Sequence, residues 1–228
     1  MDKVIFDKAK ELDYGAKEAF RTLKTNIQFC GDDIKTILLT SSIPAEGKST
    51  VTVNLARSMA ESGLKVAYVD CDIRKSVMIG RLGAHTQNGK PIVGLTHYLT
   101  GQKKLEEVIY CTSTEGMHMI FAGPTIPNST EILGNHYFKE MVEALRESYD
   151  AILFDTPPLG SIIDAAVIAP QVDGAILVVQ QGKASGRYIK TVKKQLENSE
   201  VKILGVVLNR VEEKKQGYYK KYYGNAYE

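Results

Sequence analysis

Between the apolar run Ile37-Leu38-Leu39 and a segment with helical spacing of apolar residues, Val51 to Met59, the chain reads Thr40-Ser41-Ser42-Ile43-Pro44-Ala45-Glu46-Gly47-Lys48-Ser49-Thr50. A strand, a loop of small residues, Lys-Ser and a helix, in that order, are the context a phosphate-binding loop requires. Backbone N–H groups of the loop and of the first helical turn can converge there on phosphate oxygens. In that arrangement Lys48 reaches the β- and γ-phosphates of a nucleotide and the Ser49 hydroxyl ligates Mg²⁺. Pro44, Ala45, Glu46, Gly47 and Thr50 join them as candidate nucleotide contacts. The first glycine of G-x-x-x-x-G-K-[ST] is Ser42 here, so the remaining chemistry has to come from other motifs.

Two downstream strands end in carboxylates. Val66-Ala67-Tyr68-Val69-Asp70-Cys71-Asp72 is nearly all apolar, as expected of a parallel strand covered on both faces. Asp70 and Asp72 are two apart, so they project to the same side of an extended chain. Ala151-Ile152-Leu153-Phe154-Asp155 precedes Thr156-Pro157-Pro158. An apolar strand ending in one aspartate downstream of a phosphate loop fits a Walker B carboxylate. Ligands of parallel sheets sit at the carboxyl ends of strands. The Asp70–Asp72 pair is therefore placed to organise Mg²⁺ through water, with Ser49, Asp72 and Asp155 the candidates to hold the ion; Lys48, Asp70, Asp72 and Asp155 are the candidate catalytic groups, and either Asp70 or Asp72 is open to act as a base. Asn209, at the end of an apolar run from Ile203 to Leu208, reads either as a turn residue or as a partner for an adenine edge.

Elsewhere, residues 13–30 read as a helix with Phe20, Leu23 and Ile27 on one face, and Glu18, Arg21 and Lys24 form a charged stripe at a spacing of three. Strands are expected at 36–41, 66–72, 117–122, 151–155, 175–179 and 203–208. Helices are expected from the phosphate loop to about 62, at 94–100, at 103–110, from Asn128 toward Tyr149 with a break at Gly134, from Asp164, and at 185–197. Glu131 is placed to complete a cap from Asn128. Strands alternating with helices predict an α/β fold, a mostly parallel sheet with helices on both faces. The chain of 228 residues is long enough for one large domain, or one with an appendage. Its net charge of +2 is scattered, which argues against a nucleic-acid partner. Three cysteines without metal-ligand spacing read as reduced thiols of a cytoplasmic protein, and no apolar run is long enough to cross a bilayer. His85 and His97 lack partners at metal spacing. After Val211 the apolar period stops, and Tyr218, Tyr219, Tyr222, Tyr223 and Tyr227 crowd a tail expected to be mobile.

Over nearly its whole length the chain resembles the bacterial tyrosine kinases (BY-kinases) of capsule and exopolysaccharide synthesis. The resemblance rests on TSSIPAEGKST, on Val69-Asp70-Cys71-Asp72-Ile73-Arg74-Lys75 as Walker A′, and on Asp155-Thr156-Pro157-Pro158 as Walker B. Gly94-Leu95-Thr96-His97-Tyr98-Leu99-Thr100-Gly101, Glu18-x-x-Arg21-x-x-Lys24 and the tyrosine tail add to it. Four positions depart from the family pattern: Ala45 for glycine, Ser76 for proline, Lys24 for arginine, and Asn128-Ser129 for Asn-Pro. None is expected to touch a group that performs chemistry. Related partitioning ATPases carry a signature lysine early in the loop; Ile43 stands there, which disfavours a nucleotide-sandwich dimer.

The resemblance implies a P-loop kinase domain over 1–212, with 1–35 a helical oligomerisation segment, and a flexible tail over 213–228. It implies ATP and Mg²⁺ as cofactors and autophosphorylation of the five tail tyrosines in neighbouring subunits. Glu18, Arg21 and Lys24 become a ring interface of a homo-oligomer. The expected partners are a transmembrane adaptor that recruits the chain to the inner face of the membrane, a cognate tyrosine phosphatase and protein substrates of polysaccharide synthesis. The competing expectation is a nucleotide-switched ATPase that controls assembly at a membrane and uses water as acceptor.

Overall fold

The computed structural model describes residues 1–211; residues 212–228, including the five tail tyrosines, lie outside the described residues. The chain runs β1 (Asp2–Phe6), α1 (Tyr14–Gln28), β2 (Thr36–Ser41), α2 (Lys48–Ala60), β3 (Val66–Asp70), α3 (Met78–Leu82), β4 (Ala84–Thr86), α4 (Leu95–Leu99), α5 (Leu105–Val108) and β5 (Ile109–Cys111). It continues β6 (Met117–Ile120), α6 (Ser129–Leu133), α7 (His136–Ser148), β7 (Ala151–Asp155), α8 (Asp164–Ile168), a 3-10 turn (Ala169–Gln171), β8 (Gly174–Gln180), α9 (Gly186–Glu197) and β9 (Ile203–Asn209).

These strands form one sheet in the order β4-β1-β5-β6-β3-β7-β2-β8-β9. From β6 to β9 every neighbouring pair is parallel. The antiparallel pairs are β5–β6 and β1–β4. Strand β2 is an interior strand, between β7 and β8, and all six of its residues are buried. Successive side chains alternate between faces, so each central strand supplies two cores. Leu38, Val69, Ile152 and Phe154 pack against Phe138, Met141 and Leu145 of α7 and Val192 and Leu196 of α9. Ile37, Leu39, Tyr68 and Leu153 pack against Val51, Leu55 and Met59 of α2 and Ile27 of α1. Burying one such side chain contributes about 1.5–3 kcal/mol. The fold is thus the expected α/β sandwich with helices on both faces.

The differences from the sequence reading are local. Residues 1–35 are helical only over Tyr14–Gln28: β1 opens the segment, pairs with β4 and β5, and buries Val4 in the core, so the segment's start belongs to the main sheet. The expected helix at 103–110 is one turn followed by β5. Strand β3 ends at Asp70, with Cys71 and Asp72 beyond it. The break at Gly134 is present, but Asn128 makes no side-chain cap; Asn135 caps α7 instead, accepting from Phe138 N at 3.1 Å. Asp173 pins the start of β2 by accepting from the amides of Lys35 and Thr36, the Thr36 hydroxyl and Arg146.

Candidate active site

The register of the central strands decides which carboxylates meet. Asp70 pairs with Asp155 across β3 and β7, and β7 pairs with β2, whose last residue leads into the phosphate loop. All three strands are parallel, so their carboxyl ends form one edge. There Lys48, 9% exposed, folds back over the loop. Its Nζ lies 3.4 Å from Asp155 Oδ1, 3.8 Å from Asp72 Oδ2 and 3.3 Å from Ser49 Oγ. Lys48, Ser49, Asp70 and Asp72 line a cleft of about 320 Å³ with Pro44, Ala45 and Gly47. Thr50 lies next to it, its hydroxyl accepting from Arg81 at 3.1 Å.

The loop is shaped from within by Glu46. Its carboxylate is fully buried and accepts from Ser42 N (2.8 Å), Ser42 Oγ (2.6 Å), Ile43 N (2.9 Å) and Gln180 N (3.1 Å). Both oxygens are therefore turned into the protein. The chain reverses through Ala45 at φ 63° and Gly47 at φ 92°, both in the left-handed region. A side chain at Gly47 would also collide with the amide of Asn209. That amide donates to Glu46 O at 2.8 Å, while Asn209 Oδ1 accepts from Arg210 N at 2.9 Å. These two bonds brace the loop; they take one of the two donors and one of the two lone pairs of the Asn209 side chain, so they do not exclude the expected adenine contact.

Asp70 is fully buried. Burial first, then the charge of Asp155, pushes its carboxyl up to about 7, against the opposing pull of Ser76, the Asp72 amide and Lys48. Asp70 Oδ1 accepts from Asp72 N at 3.1 Å, and Oδ2 accepts from the Ser76 hydroxyl. Ser76 thus corrects the expectation that the departures from the family pattern touch no chemical group. Asp155 Oδ2 accepts from the Tyr68 hydroxyl at 2.8 Å, and burial with the adjacent carboxylates holds that phenol well above its usual range. Arg74 leaves the cleft and clamps Asp164 from α8 at 2.8 and 3.0 Å, with Thr130 and Ser129 of α6 donating to the same carboxylate. Ser129, a second departure, therefore has a buried carboxylate as its partner as well. Tyr68, Ser76, Asp164 and Glu46 in its inward role were missed. Tyr68 alone carried a signal, since a phenol in a buried aliphatic strand needs a polar partner.

Glu18 and Arg21 form an ion pair on the exposed side of α1. Among the described residues no three His, Cys, Asp or Glu side chains are grouped to hold a metal unaided. The donor set fits Mg²⁺ nonetheless, because that ion takes one or two carboxylates and completes its shell with phosphate oxygens and water. No helix among the described residues is long and apolar enough to cross a membrane.

Several known proteins resemble this chain in sequence and fold. A family model for the AAA domain matches residues 35–203. The tyrosine-protein kinase CpsD of Streptococcus agalactiae is 41% identical over 197 residues, covering 86% of this chain and 84% of the relative. The kinase domain of Escherichia coli tyrosine kinase ETK superposes with a TM-score of 0.78 at 29% identity, over 86% of this chain and 78% of the other. The septum site-determining protein MinD of Pyrococcus horikoshii OT3, complexed with Mg-ADP, follows at a TM-score of 0.65 and 28% identity, over 81% and 76%. The P-loop ATPase fold implies binding of a nucleotide with Mg²⁺.

Proposed function

The chain belongs to the bacterial tyrosine-protein kinases, and on that premise we propose that it transfers the γ-phosphate of ATP to tyrosines of its own C-terminal tail in a neighbouring copy, in the service of capsule or exopolysaccharide synthesis. It is an enzyme, a protein-tyrosine kinase. The observation that carries the reading is Lys48 Nζ set between Asp155 and Asp72 at the shared edge of β2, β7 and β3. Phosphoryl transfer asks a protein chiefly for positioning and charge stabilisation.

In this reading the amides of the phosphate loop and Lys48 hold the phosphates. Lys48 exchanges its carboxylate partners for phosphate oxygens as ATP enters. Ser49 and the carboxylates of Asp72 and Asp155 would hold Mg²⁺ and its waters, and a bound ion would supply positive charge against the phosphates. Asp70 faces the acceptor: the tyrosine oxygen forms its bond to the γ-phosphorus, the bond from that phosphorus to the β–γ bridging oxygen breaks, and ADP leaves. The phenol proton passes to the Asp70 carboxylate. A phenol with a pKa of about 10 needs such a base at neutral pH. Residues 1–212 act as the kinase domain and 213–228 as the acceptor tail. Glu18, Arg21 and Lys24 hold copies together in a ring. The chain acts in the cytoplasm, recruited to the membrane by a transmembrane adaptor, with a tyrosine phosphatase as its counterpart.

The likeness to MinD supports a second reading, a nucleotide-switched ATPase with water as acceptor. Pure full-length protein with γ-labelled ATP and Mg²⁺ separates the two. Label retained on tyrosine is expected; release as free phosphate alone would replace the kinase reading by the ATPase one.

A further inference from the structure

A second cavity, of about 470 Å³, lies on the other side of Arg81 from the active-site cleft, and Arg81 lines both. Its walls come from separate parts of the chain. Thr50, Val53, Asn54 and Arg57 form one face of α2, at helical spacing. The extended segment 7–13 crosses opposite, held to the end of α3 by Asp7 N donating to Gly83 O and Lys8 N to Leu82 O (3.0 Å). Phe6 and Met117 close the floor. The volume is that of a pocket for a small ligand, and it is larger than the cleft that takes the phosphates.

Its chemistry is an apolar body with a cationic rim. Phe6, Leu12, Val53 and Met117 supply apolar surface, and Lys8, Lys10, Arg57 and Arg81 supply charge. Among the described residues no ion pair engages any of these four cations; Arg81 donates only to the neutral Thr50 hydroxyl. Two carboxylates, Glu11 and Asp13, also line the cavity, and that of Asp13 is engaged in capping α1 through Ala16 N at 2.7 Å. A ligand with a flat apolar ring and a dianionic head matches this set, because guanidinium forks bind phosphate oxygens in pairs.

We propose that the cavity binds phosphotyrosine, and that its occupant is the modified C-terminal tail of another copy of this chain. The inference deepens the kinase reading and rests on it for the source of the ligand. Charge decides the occupant. Residues 212–228 carry four lysines against three glutamates, so the unmodified tail has no electrostatic reason to enter a basic pocket. Each phosphate adds about −1.5 to −2 charges at neutral pH, which reverses the sign. Arginine clusters beside apolar surface are a recurring means of reading such groups. A segment of that length can span about 55 Å when extended, enough to reach between neighbouring copies. Capture draws Arg81 from Thr50 toward the bound phosphate, so a modified tail held there acts on the α2 residue next to Ser49.

The test uses a fluorescein-labelled synthetic peptide of residues 212–228, with and without phosphate on Tyr222 and Tyr223, titrated with the dephosphorylated full chain in the absence of ATP. The phosphopeptide is expected to bind about tenfold or more tightly, the equivalent of one charge-assisted contact or better. Arg57→Glu, on the cavity wall and outside the active-site cleft, removes that preference while MgATP affinity and circular dichroism stay as in the parent. Lys8→Glu, at an exposed position, repeats the measurement without altering α2. Equal binding of the two peptides by the parent chain overturns the proposal, as does unchanged phosphopeptide binding in both variants. Because the phosphate is synthetic, a chain that fails the labelled-ATP assay but keeps the preference refutes the kinase reading and leaves the cavity standing.

Discussion

Lys48 has no partner of its own sign to relieve and two carboxylates to bridge, so its removal exposes Asp155 and Asp72 to each other at a nearly dry edge. Lys48→Met is expected to lower kcat/KM for ATP by about a thousandfold or more, roughly the 4 kcal/mol that a preorganised charge supplies. Label transfer alongside circular dichroism checks it; full activity with an intact fold would remove Lys48 from the site. Ala45 is the loop's other exceptional residue, a non-glycine at φ 63°. A left-handed alanine costs about 1–2 kcal/mol, while glycine loses about 0.5–1 kcal/mol of chain entropy on folding. Ala45→Gly is therefore expected to raise the urea midpoint modestly, by the equivalent of about 0.5–1 kcal/mol, with phosphorylation retained. A lower midpoint would mean that the alanine methyl makes contacts worth more than the strain.

At the scale of elements, Asp173 ties β2, which feeds the phosphate loop, to Arg146 on α7. Burial works against its charge, but Arg146, the Thr36 and Lys35 amides and the Thr36 hydroxyl together hold its carboxyl below the usual range. A depressed folded pKa contributes stability that is present above the unfolded value, about 3.9, and is lost as pH falls through the folded one. Asp173→Asn should cost about 1–2 kcal/mol at pH 7, allowing for the solvent on one side of the pair. It should also flatten the acid limb of stability below about pH 4; denaturant titrations at pH 3 and 7 measure both, and parallel acid limbs would refute the linkage. The elements that carry the site were legible because β2, β3, β7 and β8 are continuous apolar runs, and because Asp70 and Asp155 close theirs. Strands β1, β4 and β5 were not, since DKVIF, AHT and IYC are short and owe their extension to pairing rather than to their own pattern. The same limit hid the second layer of the site. Arg74 and Asp164 are 90 positions apart, Tyr68 and Asp155 are 87 apart, and only the fold brings each pair together. Glu46 was legible as a loop residue but not as an inward one, because its partners are amides that a sequence pattern does not orient.

For the whole molecule, the question is whether the tail is modified by its own active site or by another's. Glu18 and Arg21 already satisfy each other on an exposed helix face, so their replacement with Lys24 by alanine should change stability by about 0.5 kcal/mol or less. If the stripe holds copies together, that triple variant sediments as a monomer with unchanged nucleotide affinity, while the unmodified parent does not. Assembly in turn places each tail beside a neighbour's cleft at high effective concentration. Added phosphates repel one another and the carboxylates around Lys48, so a modified tail should leave its neighbour's cleft, which frees it for the basic cavity beside Arg81. The decisive mixture combines Lys48→Met protein, whose tail is intact, with active protein whose Tyr218, Tyr219, Tyr222, Tyr223 and Tyr227 are replaced by phenylalanine. Phosphotyrosine is expected on the tail of the inactive chain, and the triple alanine change made in both partners should slow its appearance about tenfold or more at micromolar protein. If the inactive chain stays unmodified while the parent labels itself at a rate per molecule that does not depend on concentration, transfer occurs within one chain. The stripe on α1 would then have no part in catalysis.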